Sequence, residues 1–318
     1  MKVAFMGKGG SGKTTITASF IHYVQDKYSD ILAIDSDINK HLQHALAIQG
    51  NPIHLGNFYD DVAEYTEGER WRKKGFNTVP KIGSIPVSSE SKFIYIDSAD
   101  QFMKKFALTK NNIHLLTVGA YEEEDHGDAC YHSKLSALEV AMHRIVERED
   151  QLVVSDVTAG LDPISTSLIL AYDIVFLIIE PTLKGVSLYK DVESIFGMEF
   201  KRKVRIIINK VRGEQDKTFI EGHIPNEQIV AWLPHSQEVK SFEQDNVDGL
   251  SLFVRKESEN FGKMYQCILA TKKDWNTYKD SVDQLFRARC QKWYTSYYGI
   301  KPEGFIDSQF SYQSITNA

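Results

Sequence analysis

Cysteine is scarce in this 318-residue chain: only Cys130, Cys267 and Cys290 occur, scattered and odd in number. That excludes a disulfide framework and leads us to expect a reducing, cytoplasmic setting. Long apolar runs are missing as well. The longest, Leu168 to Ile179, contains Asp173 and falls short of the roughly 20 residues a membrane-spanning helix needs. The apolar start is broken after a few residues by Gly7 and Lys8, so no secretory leader is expected. Nor is there an excess of positive charge. A net charge of −6 argues against a protein that coats DNA or an anionic bilayer. The last residues, from Phe310 to Ala318, carry no basic amphipathic helix of the kind that binds membranes. DNA and membrane are therefore not expected partners.

What is present is an ordinary globular composition, 42% hydrophobic and 25% charged. One stretch stands out from it: Gly7-Lys8-Gly9-Gly10-Ser11-Gly12-Lys13-Thr14-Thr15. It follows the apolar run Lys2–Met6 and opens a segment with helical spacing at Ile16, Phe20 and Val24. Strand, glycine-rich turn and helix start are the context of a phosphate-binding loop, with the full G-x-x-x-x-G-K-T spacing. The glycines let backbone N–H groups turn toward a polyphosphate, and the helix N-terminus adds partial positive charge. Lys13 would reach the β- and γ-phosphates, and the Thr14 hydroxyl would ligate Mg²⁺.

Strand-like runs alternate with helical spacing over most of the first 235 residues. They are Lys2–Met6, Ile31–Asp35, Leu152–Asp156, Val175–Ile179, Arg205–Asn209 and Val230–Trp232, nearly continuous in apolar character, as parallel strands covered on both faces are. The expected class is α/β: a doubly wound, mostly parallel sheet flanked by helices. We expect a nucleotide domain over 1–240 and a helical extension over 241–318 packed on it. Ligands on such sheets bind outside the carboxyl ends of the strands. Asp35, Asp156 and Asn209 each close a run and should face one crevice with the loop. Asp156, at the end of the apolar strand, would hold Mg²⁺ through water. Gly160, just beyond it, offers a backbone N–H that can approach a γ-phosphate closely. Between about 51 and 111 the pattern breaks, with Pro52, Pro80 and Pro86 among many aromatics, and reads as an inserted excursion with a small aromatic core of its own. Within it, Lys92–Asp97 reads as one more strand, antiparallel if paired. Helices are expected over Glu259–Ala270 and Trp275–Tyr294, then a frayed polar tail from Gln309 to Ala318.

Lys8, a second lysine early in the loop, has no necessary role in gripping its own nucleotide. With it, the loop resembles that of the deviant Walker A ATPases of the SIMIBI class. That family includes the MinD- and ParA-like cell-division and partition ATPases, the nitrogenase iron protein, the arsenical-pump ATPase and the nickel-insertion ATPases of carbon-monoxide dehydrogenase. The resemblance covers about residues 1–60 and 112–240. It implies an ATP-dependent homodimer in which Lys8 reaches the partner's phosphates and stabilises the charge of the departing phosphoryl group. It implies that Asp37 orients or activates the attacking water and that Asp35 lies near the Mg²⁺ shell. Read from the residues alone, either aspartate could instead cap the helix through His41 and Leu42. Asn209 is similar to the residue that reads the purine, and Pro234 matches a segment bordering the base. A guanine-specific N-K-x-D site would need a carboxylate where Arg212 stands, which favours adenine.

The order of motifs looks most like the nickel-insertion subgroup, which carries Cys-x-Cys where this chain has Cys130-x-His132. Two copies would bring together two sulfurs and two nitrogens, an acceptable set for Zn²⁺ or Ni²⁺. The plainer alternative is a small cysteine beside a surface histidine with no metal. Three functions follow in order: a dimeric ATP-hydrolysing switch serving metal-centre assembly on a client protein, a partition or positioning ATPase, and a nucleotide-binding scaffold without turnover.

Overall fold

The computed structural model describes every residue except 38–40, 120–130, 159–165, 245, 247 and 317–318, and only the backbone of 131–133, 198 and 316. Its centre is an eight-stranded sheet in the order β10-β9-β8-β1-β7-β2-β5-β4. The strands are β1 (Lys2–Gly7), β2 (Asp30–Ser36), β4 (Leu108–Lys110), β5 (Ile113–Thr117), β7 (Gln151–Val157), β8 (Ile174–Ile179), β9 (Val204–Val211) and β10 (Ile229–Pro234). All neighbours pair parallel except β4, which closes the edge antiparallel to β5. The six runs read from the sequence are all strands here, each slightly longer. Their continuous apolar character has a simple cause. In β1, Val3 and Phe5 enter the core on one face while Ala4 and Met6 enter the core on the other.

One face is covered by the helix Lys13–Val24, whose Phe20 packs on Phe5 at 5.5 Å, and by the helices Asp248–Lys256 and Ser258–Ala270. The other is covered by Tyr59–Lys73, Tyr131–Met142, Leu183–Phe196 and the C-terminal helix Trp275–Arg289.

Four sequence expectations need correcting. First, the excursion does not build a core of its own. Trp71, fully buried, packs on Phe305 with centroids 4.2 Å apart, so insertion and C-terminal segment join the main core together. A buried ion cluster ties the same parts: Glu67 accepts from Arg70 Nη1 at 2.8 Å and from Arg144 Nη2 at 2.8 Å, and Arg70 also donates to the Phe305 carbonyl. Second, within Lys92–Asp97 only β3 (Ile94–Tyr95) is a strand, and it pairs parallel with β6 (Ile145–Val146). Third, the tail is packed through Tyr312: that residue is 2% exposed, stacks on Trp275 at 4.6 Å and donates to the His143 carbonyl at 2.9 Å. Its aromatics find apolar partners that local composition does not reveal. Fourth, β5 was not anticipated, because His114 interrupts its apolar run. The ring is satisfied where it sits, with Asp30 Oδ1 at 3.1 Å and Thr109 Oγ1 at 3.0 Å.

A further clasp joins the segment beyond β7 to the C-terminal helix. Glu139 accepts from the Ser167 backbone N–H at 2.5 Å and from its hydroxyl at 2.7 Å. His143 bridges the Ser167 hydroxyl, 2.9 Å away, and the Tyr278 hydroxyl, 2.5 Å away. Burial, helped by the adjacent Arg144, holds the pKa of His143 well below its ordinary value, so the ring is neutral and offers one donor and one acceptor.

Candidate nucleotide site

β1 ends at Gly7, the loop turns through 8–12, and the first long helix begins at Lys13. Two glycines are required by geometry. Gly12 caps the helix in the left-handed region at φ 88°, and a Cβ there would lie 2.4 Å from Asn209 Nδ2. At Gly7 a Cβ would meet Ser11 Oγ at 2.5 Å and the Ile178 carbonyl at 2.9 Å. The loop therefore lies flat against β8 and β9, with the helix N-terminus open to a cleft of about 1030 Å³. That is the upper range of small-molecule clefts and ample for a nucleotide. Gly9, Gly10, Thr14 and Thr15 line it, and Ser11 sits behind them with its buried hydroxyl lacking a partner among the described residues.

Three acidic residues gather at the carboxyl ends of β2 and β7. Asp35 and Asp156 are register partners, and both are fully buried. Lys13 places its ammonium 2.6 Å from Asp37 Oδ2 and 2.9 Å from Asp156 Oδ1. Burial opposes the lysine's charge, but Asp156 and Asp37 outweigh it and its pKa ends raised. Thr14 donates its hydroxyl to Asp156 Oδ2 at 2.5 Å. Burial pushes the Asp156 carboxyl upward despite Lys13. Asp35 is pushed up to about 7, by burial first and then by the charge of Asp156. Its oxygens accept from the Asp37 N–H at 3.2 Å and the Leu42 N–H at 3.1 Å, so it caps the start of the helix Leu42–Ala45. The capping alternative for Asp35 is thus realised.

Asn209, 7% exposed, donates its amide to the Ser11 carbonyl at 2.7 Å and so braces the loop from β9. Pro234 lies on the cleft wall at the end of β10. Lys8 is exposed at the rim, and its ammonium has no hydrogen bond or ion pair among the described residues. Cys130 and Gly160 lie outside the described residues, and of His132 only the backbone is described, at the start of the helix Tyr131–Met142. Among the described residues no group of three His, Cys, Asp or Glu side chains is placed to hold a metal ion.

Sequence reasoning missed part of the wall. Lys210, at φ 61°, turns back over the loop, donating to the Gly10 carbonyl at 2.5 Å while pairing with Glu180 at 2.5 Å. Its place directly after Asn209 was the available signal. Lys240 and Phe253, from the C-terminal helices, also line the cleft. Glu180, Pro181 and Thr182 border the cleft as well.

For Mg²⁺, Thr14 and Asp156 fit the donor chemistry: both present oxygens, and they already meet beside Lys13.

Comparison with known proteins agrees with this arrangement. The CobQ/CobB/MinD/ParA nucleotide binding domain matches residues 2–247. An uncharacterized ATP-binding protein of Methanocaldococcus jannaschii is 26% identical over 242 residues, covering 75% of this chain and 87% of that protein. The carbon monoxide dehydrogenase accessory protein CooC of Rhodospirillum rubrum is 22% identical over 244 residues, covering 77% and 87%. Among solved structures, the MinC:MinD cell division protein complex of Aquifex aeolicus superposes with TM-score 0.53 at 16% identity, covering 86% of this chain and 97% of that one. A ParA family ATPase from Chlorobium tepidum gives 0.52 at 12% identity, covering 82% and 95%. With loop, acidic cluster and sheet order on this pattern, the chain belongs to the CobQ/CobB/MinD/ParA nucleotide-binding domain family.

Proposed function

We propose that this chain is an ATP-hydrolysing switch that pairs with a second copy when loaded and serves the assembly of a metal centre on a client protein. The observation that carries the reading is the Lys13–Asp37–Asp156–Thr14 cluster at the floor of a nucleotide-sized cleft. The ATP-binding relatives support the nucleotide, and the relative named as a carbon monoxide dehydrogenase accessory protein supports the client class. A cargo metal held by Cys130 and His132 of two copies belongs to this same reading.

The chemistry follows from the side chains. Loop N–H groups and the helix N-terminus bind the triphosphate. Lys13 leaves Asp37 and turns to the phosphates, and the freed Asp37 carboxylate accepts a hydrogen bond from the attacking water. Thr14 and Asp156 would hold Mg²⁺, which when bound would neutralise phosphate charge. Lys8, exposed on the rim, extends to the partner's phosphates, and a cation supplied in this way is worth about 10³–10⁵ in turnover.

The test is Lys8→Ala, followed by nucleotide titration, light scattering and phosphate release. ATP affinity should stay within about twofold while ATP-dependent doubling of mass and turnover are lost. A tenfold loss of affinity by the monomer, or unchanged turnover, defeats the reading.

A further inference from the structure

A second cavity, about 420 Å³, lies away from the nucleotide cleft, between the segment 168–173, the end of the helix Leu183–Phe196 and the C-terminal helix Trp275–Arg289. Its size is that of small-molecule pockets. Its apolar lining comes from Ile169, Tyr172, Ile195, Phe196 and Tyr278, and Ile195 is 52% exposed, a large aliphatic side chain with no cover.

The lining carries three carboxylates, Asp173, Glu199 and Asp274, and three cations, Arg202, Lys203 and Lys272, but they are not paired one to one. Glu199 is taken by Arg202. Asp173 accepts from the Lys2 backbone N–H at 2.7 Å and pairs with Lys273 at 3.2 Å. Asp274 caps its own helix, accepting from the Thr277 N–H at 3.0 Å and from its hydroxyl at 2.7 Å. Every carboxylate on the lining is thus matched, and two lysines are not. Lys272 is exposed and makes no ion pair among the described residues. Lys203 has one acceptor among them, the Leu170 carbonyl at 3.3 Å, so most of its donor capacity faces the cavity unused.

We propose that this cavity is a second ligand site, taking a small organic anion with an aromatic or aliphatic body, and that Lys203 is the charge partner of its anionic group. Burial first, and Arg202 second, depress the Lys203 ammonium to about 8 against the weaker pull of Asp173 and Glu199, and an anion in the cavity would add to that pull. The apolar body displaces water from Ile195, Phe196 and Tyr278.

The probe is 8-anilinonaphthalene-1-sulfonate, titrated by fluorescence into the full chain with a non-hydrolysable ATP analogue and Mg²⁺ filling the first cleft. One saturable class of site is expected. Lys203→Met should weaken it about tenfold or more, the worth of a charge-assisted hydrogen bond. Ser281→Phe, which fills the cavity from the C-terminal helix, should abolish it. The uncharged N-phenyl-1-naphthylamine should bind at least about tenfold more weakly than the sulfonate. Dye binding unchanged in both variants overturns the site. Loss in Ser281→Phe alone, or equal affinity for the two dyes, overturns its anionic character.

Discussion

Replacing Asp37 by alanine should make the protein bind ATP more tightly and hydrolyse it far more slowly. Lys13, buried, is held at 2.6 Å by Asp37 and at 2.9 Å by Asp156. On the proposed exchange, it gives up the Asp37 bond when it turns to a β- or γ-phosphate. A hydrogen bond between charged groups is worth about 1.5–3 kcal/mol, so its absence beforehand should tighten ATP binding about tenfold or more. Loss of one negative charge near the phosphates acts in the same direction. On the proposed role of Asp37 turnover moves the other way, because removing a group that orients or activates the attacking water typically costs about 10²–10⁴ in rate. Calorimetric titration with a non-hydrolysable analogue and Mg²⁺ reads the first effect, and phosphate release at saturating ATP the second. Asp37→Asn, which keeps a neutral acceptor for Lys13, should fall between. Weaker binding by the alanine variant, or turnover within about twofold of the parent, would refute the exchange of Lys13 between carboxylate and phosphate.

Glu67→Ala strands the Arg70 and Arg144 guanidiniums in the core without a counter-charge and should cost about 3–5 kcal/mol; a urea midpoint implying less than about 1 kcal/mol would show the cluster to be dispensable. Asp35, raised to about 7 in the fold against the usual carboxylate value when unfolded, keeps its proton in the native state over a range where the unfolded chain has lost it. Its contribution is therefore fully present below about pH 4 and is lost as pH rises through about 7. The melting temperature of the nucleotide-free protein should fall between pH 5 and pH 8 more steeply than that of Asp35→Asn, and equal slopes would contradict the assignment.

The parts of this molecule legible in its sequence are those written contiguously. The loop from Gly7 to Thr15 declares its turn, its helix start and its lysine within nine positions, and the inner strands declare themselves by burial on both faces. Asp156 was legible because it ends such a strand. What Asp35 does was not, since a carboxylate at a strand end serves a helix start or a metal equally well, and only the Leu42 N–H decides its present engagement. Lys210, Lys240 and Phe253 reach the cleft from 195 or more positions beyond the loop, a distance no local pattern spans. The same holds for Trp71 and Phe305, whose contact turns an apparently separate excursion into part of one core.

The Ser167 clasp has a consequence for any attempt to trim the molecule. Cutting the chain after Ala270 removes Tyr278 and leaves His143, neutral and enclosed, with an unanswered ring nitrogen, while Trp71 loses its roof. The remnant would retain every phosphate-facing side chain and still expose an oily flank, so it should precipitate rather than act as a minimal enzyme. The strand that carries Asp156 is thus followed, eleven residues on, by a clasp at Ser167 that the far end of the polypeptide completes through Tyr278.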